Sequence, residues 1–266
     1  MPPVRLALHC ATGALLGLTI HAVLVRPPPL VLAAGALVGY ASLVLGGVLV
    51  LPWRVYADAV VRGPKDARGV ALTFDDGPHP RWTRAVLDAL AARGTRGATF
   101  FVVARKAEQH PDVVREIRER GHSVEVHSYA HDRLFAIRGV RRVREDLERA
   151  VAAIEQLTGR RPRLFRPPIG HTNPTIARVA DDLDLTIVAW SARGFDGVAG
   201  ADPERVAARV RRALRPGAIV LLHDSPETGD SEPAGVRALP AVLDAIAAKG
   251  LEVVPLHSLV HRPKKP

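Results

Sequence analysis

An α/β fold built on a parallel sheet is predicted for most of this 266-residue chain, on three observations. Beyond Gly69, seven short apolar runs alternate with six segments of helical periodicity, the pattern of repeated strand–helix units. Several helical segments open with proline near the first turn and close at glycine, as helix ends prefer. Polar residues able to do chemistry recur at the C-terminal ends of the apolar runs, the edge where α/β folds place their sites. Periodicity does not say whether the sheet is open or closed.

Taken in order, strands are expected at 70–74, 98–103, 123–127, 163–165, 185–190, 218–223 and 251–254. The first is the apolar run Val70-Ala71-Leu72-Thr73-Phe74, which Gly77-Pro78 ends in a turn. Between the strands, helices are expected at 82–93, 111–120, 140–158, 174–182, 203–214 and 234–249. No internal repeat interrupts this alternation.

Residues 1–54 have a different character, with Arg5 and Arg26 the only charged side chains before Arg54. Apolar stretches at about 6–25 and 30–51 flank Arg26-Pro27-Pro28-Pro29. Each is long enough to cross the ~30 Å of a bilayer core as a helix. Trp53 and Arg54 suit an interfacial anchor after the second stretch. A cleaved secretory signal could explain the first stretch alone. Its basic region is thin, however, no small-residue cleavage site follows, and the second stretch comes at once. A two-helix membrane hairpin is therefore expected. Basic residues at both its ends (Arg5, then Arg54, Arg62, Lys65 and Arg68) lean toward a cytoplasmic side for both. Residues 55–68 read as a linker, 69–257 as the α/β domain and 258–266 as a solvated tail.

A net charge of +10 raises the possibility of nucleic acid. The basic residues are scattered along amphipathic helices among acids, and no aromatic-and-basic ribbon or helix-turn-helix pattern accompanies them. An anionic membrane or glycan is the more economical partner, and nothing calls for an obligate protein partner. The one cysteine, Cys10, lies in the first apolar stretch, which leaves no disulfide and no thiolate metal site.

The adjacent carboxylates Asp75 and Asp76 sit at the end of the first strand, where neighbouring side chains point in different directions. One could hold a metal while the other serves as a base; an ordinary Asp-Asp-Gly turn explains the pair equally well alone. His127 and His131 stand four residues apart, a spacing that puts both rings on one face of a helical turn. With an Asp they make three ligands and leave a position open for water, the pattern of a catalytic zinc site. Arg166 ends another strand in the proline-stiffened loop Pro167-Pro168-Ile169-Gly170, and His223 leaves a further strand as a candidate proton donor.

Together these residues resemble the polysaccharide deacetylase family, also called the NodB-homology or carbohydrate esterase family 4 domain. The resemblance runs from about Arg68 to Val254. It is carried by Thr73-Phe74-Asp75-Asp76-Gly77-Pro78, His127-Ser128-Tyr129-Ala130-His131, Arg166-Pro167-Pro168-Ile169-Gly170 and Leu221-Leu222-His223-Asp224. It implies a distorted (β/α)7-type barrel and metal-dependent removal of N-acetyl groups from N-acetylglucosamine-type units. Asp75 would be the general base, paired with Arg166. Asp76, His127 and His131 would bind one divalent ion, with Zn2+ foremost, and His223 would be the general acid, oriented by Asp196. The Ile169 amide would stabilise the oxyanion, Leu221 would line the acetyl pocket, and Pro167 and Tyr129 would border the substrate. The substrate would be an N-acetylated glycan, or alternatively a lipid-linked sugar, met at a bacterial cytoplasmic membrane. A catalytically silent carbohydrate-binding protein is the third alternative, opposed by retention of every ligand and proton-transfer residue.

The chain departs from the family pattern in three places. Ile169 stands where an aromatic is common. Arg193 replaces an acid and Gly197 a tryptophan around Asp196. Glu125-Val126 precedes His127 in place of a small polar pair.

Overall fold

A computed structural model describes residues 1–198 and 200–260. The apolar segments at the N-terminus form helices α1 (Pro3–Leu24) and α2 (Leu30–Leu49). The predicted alternation follows as β1 (Gly69–Asp75), α3 (Trp82–Ala91), β2 (Thr99–Val102), α4 (Ala104–Gln109), α5 (Pro111–Glu119), β3 (Ser123–Val126), α6 (Val140–Thr158), β4 (Leu164–Phe165), α7 (Pro174–Asp182) and β5 (Thr186–Ile187). The chain continues through β6 (Ala192–Arg193), α8 (Pro203–Ala213), β7 (Ile219–His223), α9 (Ala234–Ala248), β8 (Glu252–Val253) and α10 (Leu256–Leu259). Proline opens α5, α7 and α8, while Asn173 and Asp202 cap the last two by accepting from the Ile176 and Glu204 amides. Gly159 closes α6 in the left-handed conformation.

All strand pairs are parallel, in the order β5-β4-β3-β2-β1-β7-β6, with β8 beside the first two residues of β1. β5 and β6 sit at opposite ends of this path, yet only residues 188–191 separate them. A flat seven-strand sheet would hold its edges ~29 Å apart at ~4.8 Å per spacing, and five Cα steps reach at most ~18 Å. The sheet must curl. It forms a curled half-barrel, the distorted form of the (β/α)7-type barrel expected, left open because β5 and β6 do not pair. Residues 60 and 62 lie across the seam, bridging Val188 and Ala218. Residues 55–68 are thus no free linker: Val55, Ala57 and Ala59 are buried. The strand expected at 185–190 is only two residues long, and β6 was not expected at all.

Strand alternation divides the core in two. Val70, Leu72 and Phe74 of β1 pack outward under the helices with Phe100, Val102 and Val220. Ala71 faces inward with Phe101, Leu164 and Ile219, and there Leu256 and Leu259 of α10 fill the barrel. The chain through Leu259 therefore belongs to the packed body, not to a tail starting at 258; residues 261–266 lie outside the described residues. The same alternation sends Thr73 and Asp75 to the inner face. No residue of α1, and only Gly47 of α2, is buried.

Candidate active site

Asp75 projects inward from the end of β1 and is 3% exposed. Its partner is Arg166, whose Nη1 donates to Asp75 Oδ1 at 2.6 Å and to Thr73 Oγ1 at 2.8 Å. Arg166 is wholly buried, its guanidinium also donating to the Val188 and Ala189 carbonyls and lying 4.2 Å from the Phe101 ring centroid. Burial pulls its pKa down against the opposing charge of Asp75. A buried cation with this many acceptors holds the paired carboxylate in place.

Asp76 takes φ of 74° and turns away from its neighbour. Its Oδ1 lies 3.2 Å from His127 Nε2 and 3.1 Å from His131 Nε2. Burial opposes its charge, but bonds to both imidazoles hold its carboxyl well below the usual carboxylate range. One ligand atom from each of the three residues lies within 4.8 Å of the others. His127 Nδ1 donates to the Arg166 carbonyl at 2.7 Å, which orients the ring so that Nε2 faces the cluster. This donor set, two imidazole nitrogens and a carboxylate, fits a divalent ion of the zinc class. The histidines do not share a helical turn as their spacing suggested. Residues 127–131 form a loop in which Ser128 and His131 have φ of 70° and 53°. The Ser128 hydroxyl holds this loop by accepting from the His131 amide.

Across the cleft, Asp196 accepts from the His223 amide at 2.7 Å and from its Nδ1 at 3.1 Å. Burial disfavours charge on His223, yet Asp196 foremost, then Asp76 and Asp75, push its pKa up to about 10. The imidazolium is thereby kept charged at neutral pH. A Cβ on Gly235 would meet Asp196 Oδ2 at 2.1 Å, so glycine at that position makes room for the carboxylate.

These groups line a cleft of about 840 Å³ that also includes Ile169, Trp190, Arg193 and Leu221. A cavity of about 650 Å³ at the opposite strand ends, beside Gly97 and Gly121, contains none of the predicted residues. Two predicted substrate contacts lie outside the cleft lining. Pro167 is buried behind the loop. Tyr129 turns away, its hydroxyl donating to Glu108 and its ring stacked under Arg149, because its amide is pinned by Asp146. Glu125 is not in the cleft lining either. It accepts from the Arg163 and Leu164 amides and from His257, tying β4 and α10 to β3.

Sequence reasoning missed Lys106, whose ammonium joins the Asp76 carbonyl, Ser225 Oγ and the Pro226 carbonyl at 2.9, 2.9 and 3.2 Å. It belongs to α4, too short for periodicity to detect. Asp224 also has a place, accepting from Thr83 beneath Gly77, whose missing Cβ would strike it.

Comparison with known proteins bears on the family. The sequence pattern of the polysaccharide deacetylase family matches residues 62–188. A peptidoglycan-N-acetylglucosamine deacetylase of Bacillus cereus is 30% identical over 203 residues, covering 76% of this chain and 72% of its own. A chitooligosaccharide deacetylase of Bradyrhizobium is 34% identical over 72% of this chain and 90% of its own. Among solved structures, a peptidoglycan N-acetylglucosamine deacetylase bound to an N-hydroxybenzamide superposes with a TM-score of 0.70 at 29% identity, covering 78% of this chain and 95% of its own. An activity-restored variant of a family 4 pseudoenzyme has a TM-score of 0.67 at 26% identity, covering 78% and 73%. With its curled parallel sheet, its ordered motifs and these relatives, the chain belongs to the polysaccharide deacetylase family of carbohydrate esterase family 4.

Proposed function

We propose that the protein is a metal-dependent N-deacetylase that hydrolyses the acetamido group of N-acetylglucosamine-type units in a glycan. The carrying observation is the opposition, in one cleft, of the Arg166-held Asp75 and the Asp196-held His223, with Asp76, His127 and His131 converging between them. Asp76, His127 and His131 would hold a divalent ion, which would supply Lewis acidity and a water of lowered pKa there. Asp75 accepts the proton of the attacking water, and Arg166 keeps that carboxylate oriented. The Ile169 amide stabilises the oxyanion. Ile169 itself has φ of 50°, a strained conformation that the flanking prolines and Gly170 sustain. His223 donates its proton to the departing amine, with Asp196 holding the ring in place. Leu221 borders the methyl of the acetyl group.

The test is acetate release from N-acetylglucosamine oligomers by the full chain in detergent, with metal removal and restoration. Asp75→Asn is expected to lower kcat by ~10²–10⁴. An unchanged rate in Asp75→Asn, or activity indifferent to chelator, would overturn the assignment.

A second reading concerns where the glycan is met. The Thr172 amide, three residues beyond Ile169, donates to the Val48 carbonyl at the end of α2 at 3.0 Å. If α1 and α2 span a bilayer, the cleft loop lies close to its surface, which favours a membrane-proximal glycan or a lipid-linked sugar. A substrate panel of chitooligosaccharides, peptidoglycan and polyprenyl-linked sugars separates these.

A further inference from the structure

We propose that Arg193 is an anion-recognising residue of the cleft. It would select N-acetylated sugars that carry a carboxylate or phosphate on a ring carbon next to the acetamido-bearing one. The inference rests on the deacetylase reading above, because it places the acetamido group beside Leu221.

Three arginines line the cleft: Arg133, Arg193 and Arg237. Two are engaged by acids, Arg133 with Glu227 at 3.0 Å and Arg237 with Glu232 at 3.9 Å. Among the described residues, no carboxylate lies within 4.0 Å of the Arg193 guanidinium, and its Nε is buried without a hydrogen-bond partner. The carboxylates whose field reaches it, Asp196 and Asp75, already have close partners in His223 and Arg166. Neither needs Arg193 for its own neutralisation.

Its position is equally specific. Arg193 is the register partner of Leu221 across β6 and β7, so the two side chains share the cleft face, with His223 two residues further on. Trp190 and Phe195 flank the guanidinium at 5.2 and 4.7 Å from their ring centroids. Such flanking rings restrict a planar fork without consuming its donors. Burial disfavours its charge, and an oxyanion arriving with the substrate would supply paired N–H···O bonds that the protein does not. With the acetamido group beside Leu221, the register partner of Arg193, the substituents closest to that group, those on the two flanking ring carbons, are the ones placed to meet the guanidinium. A 3-O-carboxyalkyl ether and a 1-phosphate are the two sources of such an anion.

The experiment compares acetate release from three probes: neutral chitotetraose, an oligomer of the same length bearing 3-O-lactyl carboxylates, and N-acetylglucosamine 1-phosphate. The full metal-loaded chain, Arg193→Gln and Arg193→Lys are assayed at low and high salt. Wild type is expected to favour at least one anionic probe. In Arg193→Gln the ratio of kcat/KM for that probe over chitotetraose should fall ten-fold or more, mainly through KM. Arg193→Lys should restore part of it, and salt should erode the wild-type preference. Which anionic probe shows the effect names the source. A wild-type preference for the neutral probe, or a ratio unmoved by Arg193→Gln, overturns the proposal. If Arg193→Gln does not fold, the wild-type ratio, its salt dependence and Arg193→Lys decide. Calorimetric titration of Asp75→Asn with the same probes separates the two readings. Anion-selective binding that Arg193→Gln abolishes, with no acetate released by wild type, would sink the deacetylase reading and leave the anion site standing.

Discussion

At the scale of single residues, the cleft is organised by pairing charged groups so that each is held in one orientation. Arg166 fixes the Asp75 carboxylate through a 2.6 Å bond, and Asp196 foremost raises the pKa of His223 to about 10 against the effect of burial. Asp224 is the counter-example. Its burial, despite the Thr83 bond and the nearby Lys106, pushes its pKa up to about 7. A carboxyl whose folded pKa is raised favours the native state fully below its unfolded value near 4, and loses that contribution as pH rises to 7. The charge is therefore a stability cost above neutrality. Asp224→Asn, which keeps the shape, is expected to raise Tm relative to wild type at pH 8 and to do so much less at pH 4.5. Equal shifts at both pH values would show that the carboxyl does not titrate in this range.

At the scale of elements, the short loops after the strands carry the chemistry, and several depend on backbone that L-residues seldom adopt. Asp76, Ser128, His131 and Ile169 all have positive φ, each at a cost of ~1–3 kcal/mol that the packed sheet must absorb. Gly170 shows how tightly such a loop is fitted. Its φ is 73°, and a Cβ would sit 2.4 Å from the Trp190 ring. Gly170→Ala is therefore expected to destabilise the fold by about 1–3 kcal/mol and to lower activity by displacing the Ile169 amide. Denaturant unfolding together with acetate release would check both; wild-type values in each would mean the loop yields freely.

At the scale of the whole molecule, the N-terminal helices and the α/β body are joined rather than merely consecutive. Arg5 donates to the Arg54 and Val55 carbonyls and pairs with Asp58, Tyr56 reaches the Val44 carbonyl, and Leu51 is buried in the main core. Helices of 22 and 20 residues span ~33 and ~30 Å, a bilayer core, and leave apolar side chains such as Leu16 and Leu37 uncovered. The full chain is therefore expected to stay with membranes through alkaline carbonate extraction. Release into the soluble fraction would exclude a spanning hairpin.

Much was legible in the sequence. Short continuous apolar runs and helical periodicity, with Pro and Gly punctuation, located β1, β2, β3, β7 and most helices, because these patterns follow from local geometry. The ordered motifs identified the family and the residues that meet in the cleft, because each leaves a strand at the same edge. Only the tertiary structure decided the rest. β6 is two residues long, too short to leave a period, and β5 keeps only two residues of the run expected at 185–190; both exist through their neighbours' hydrogen bonds. The role of Lys106, the departure of Tyr129 from the cleft and the freedom of Arg193 depend on partners far along the chain. Composition and spacing can name the groups a cleft contains; which of them is left without a partner is settled by packing.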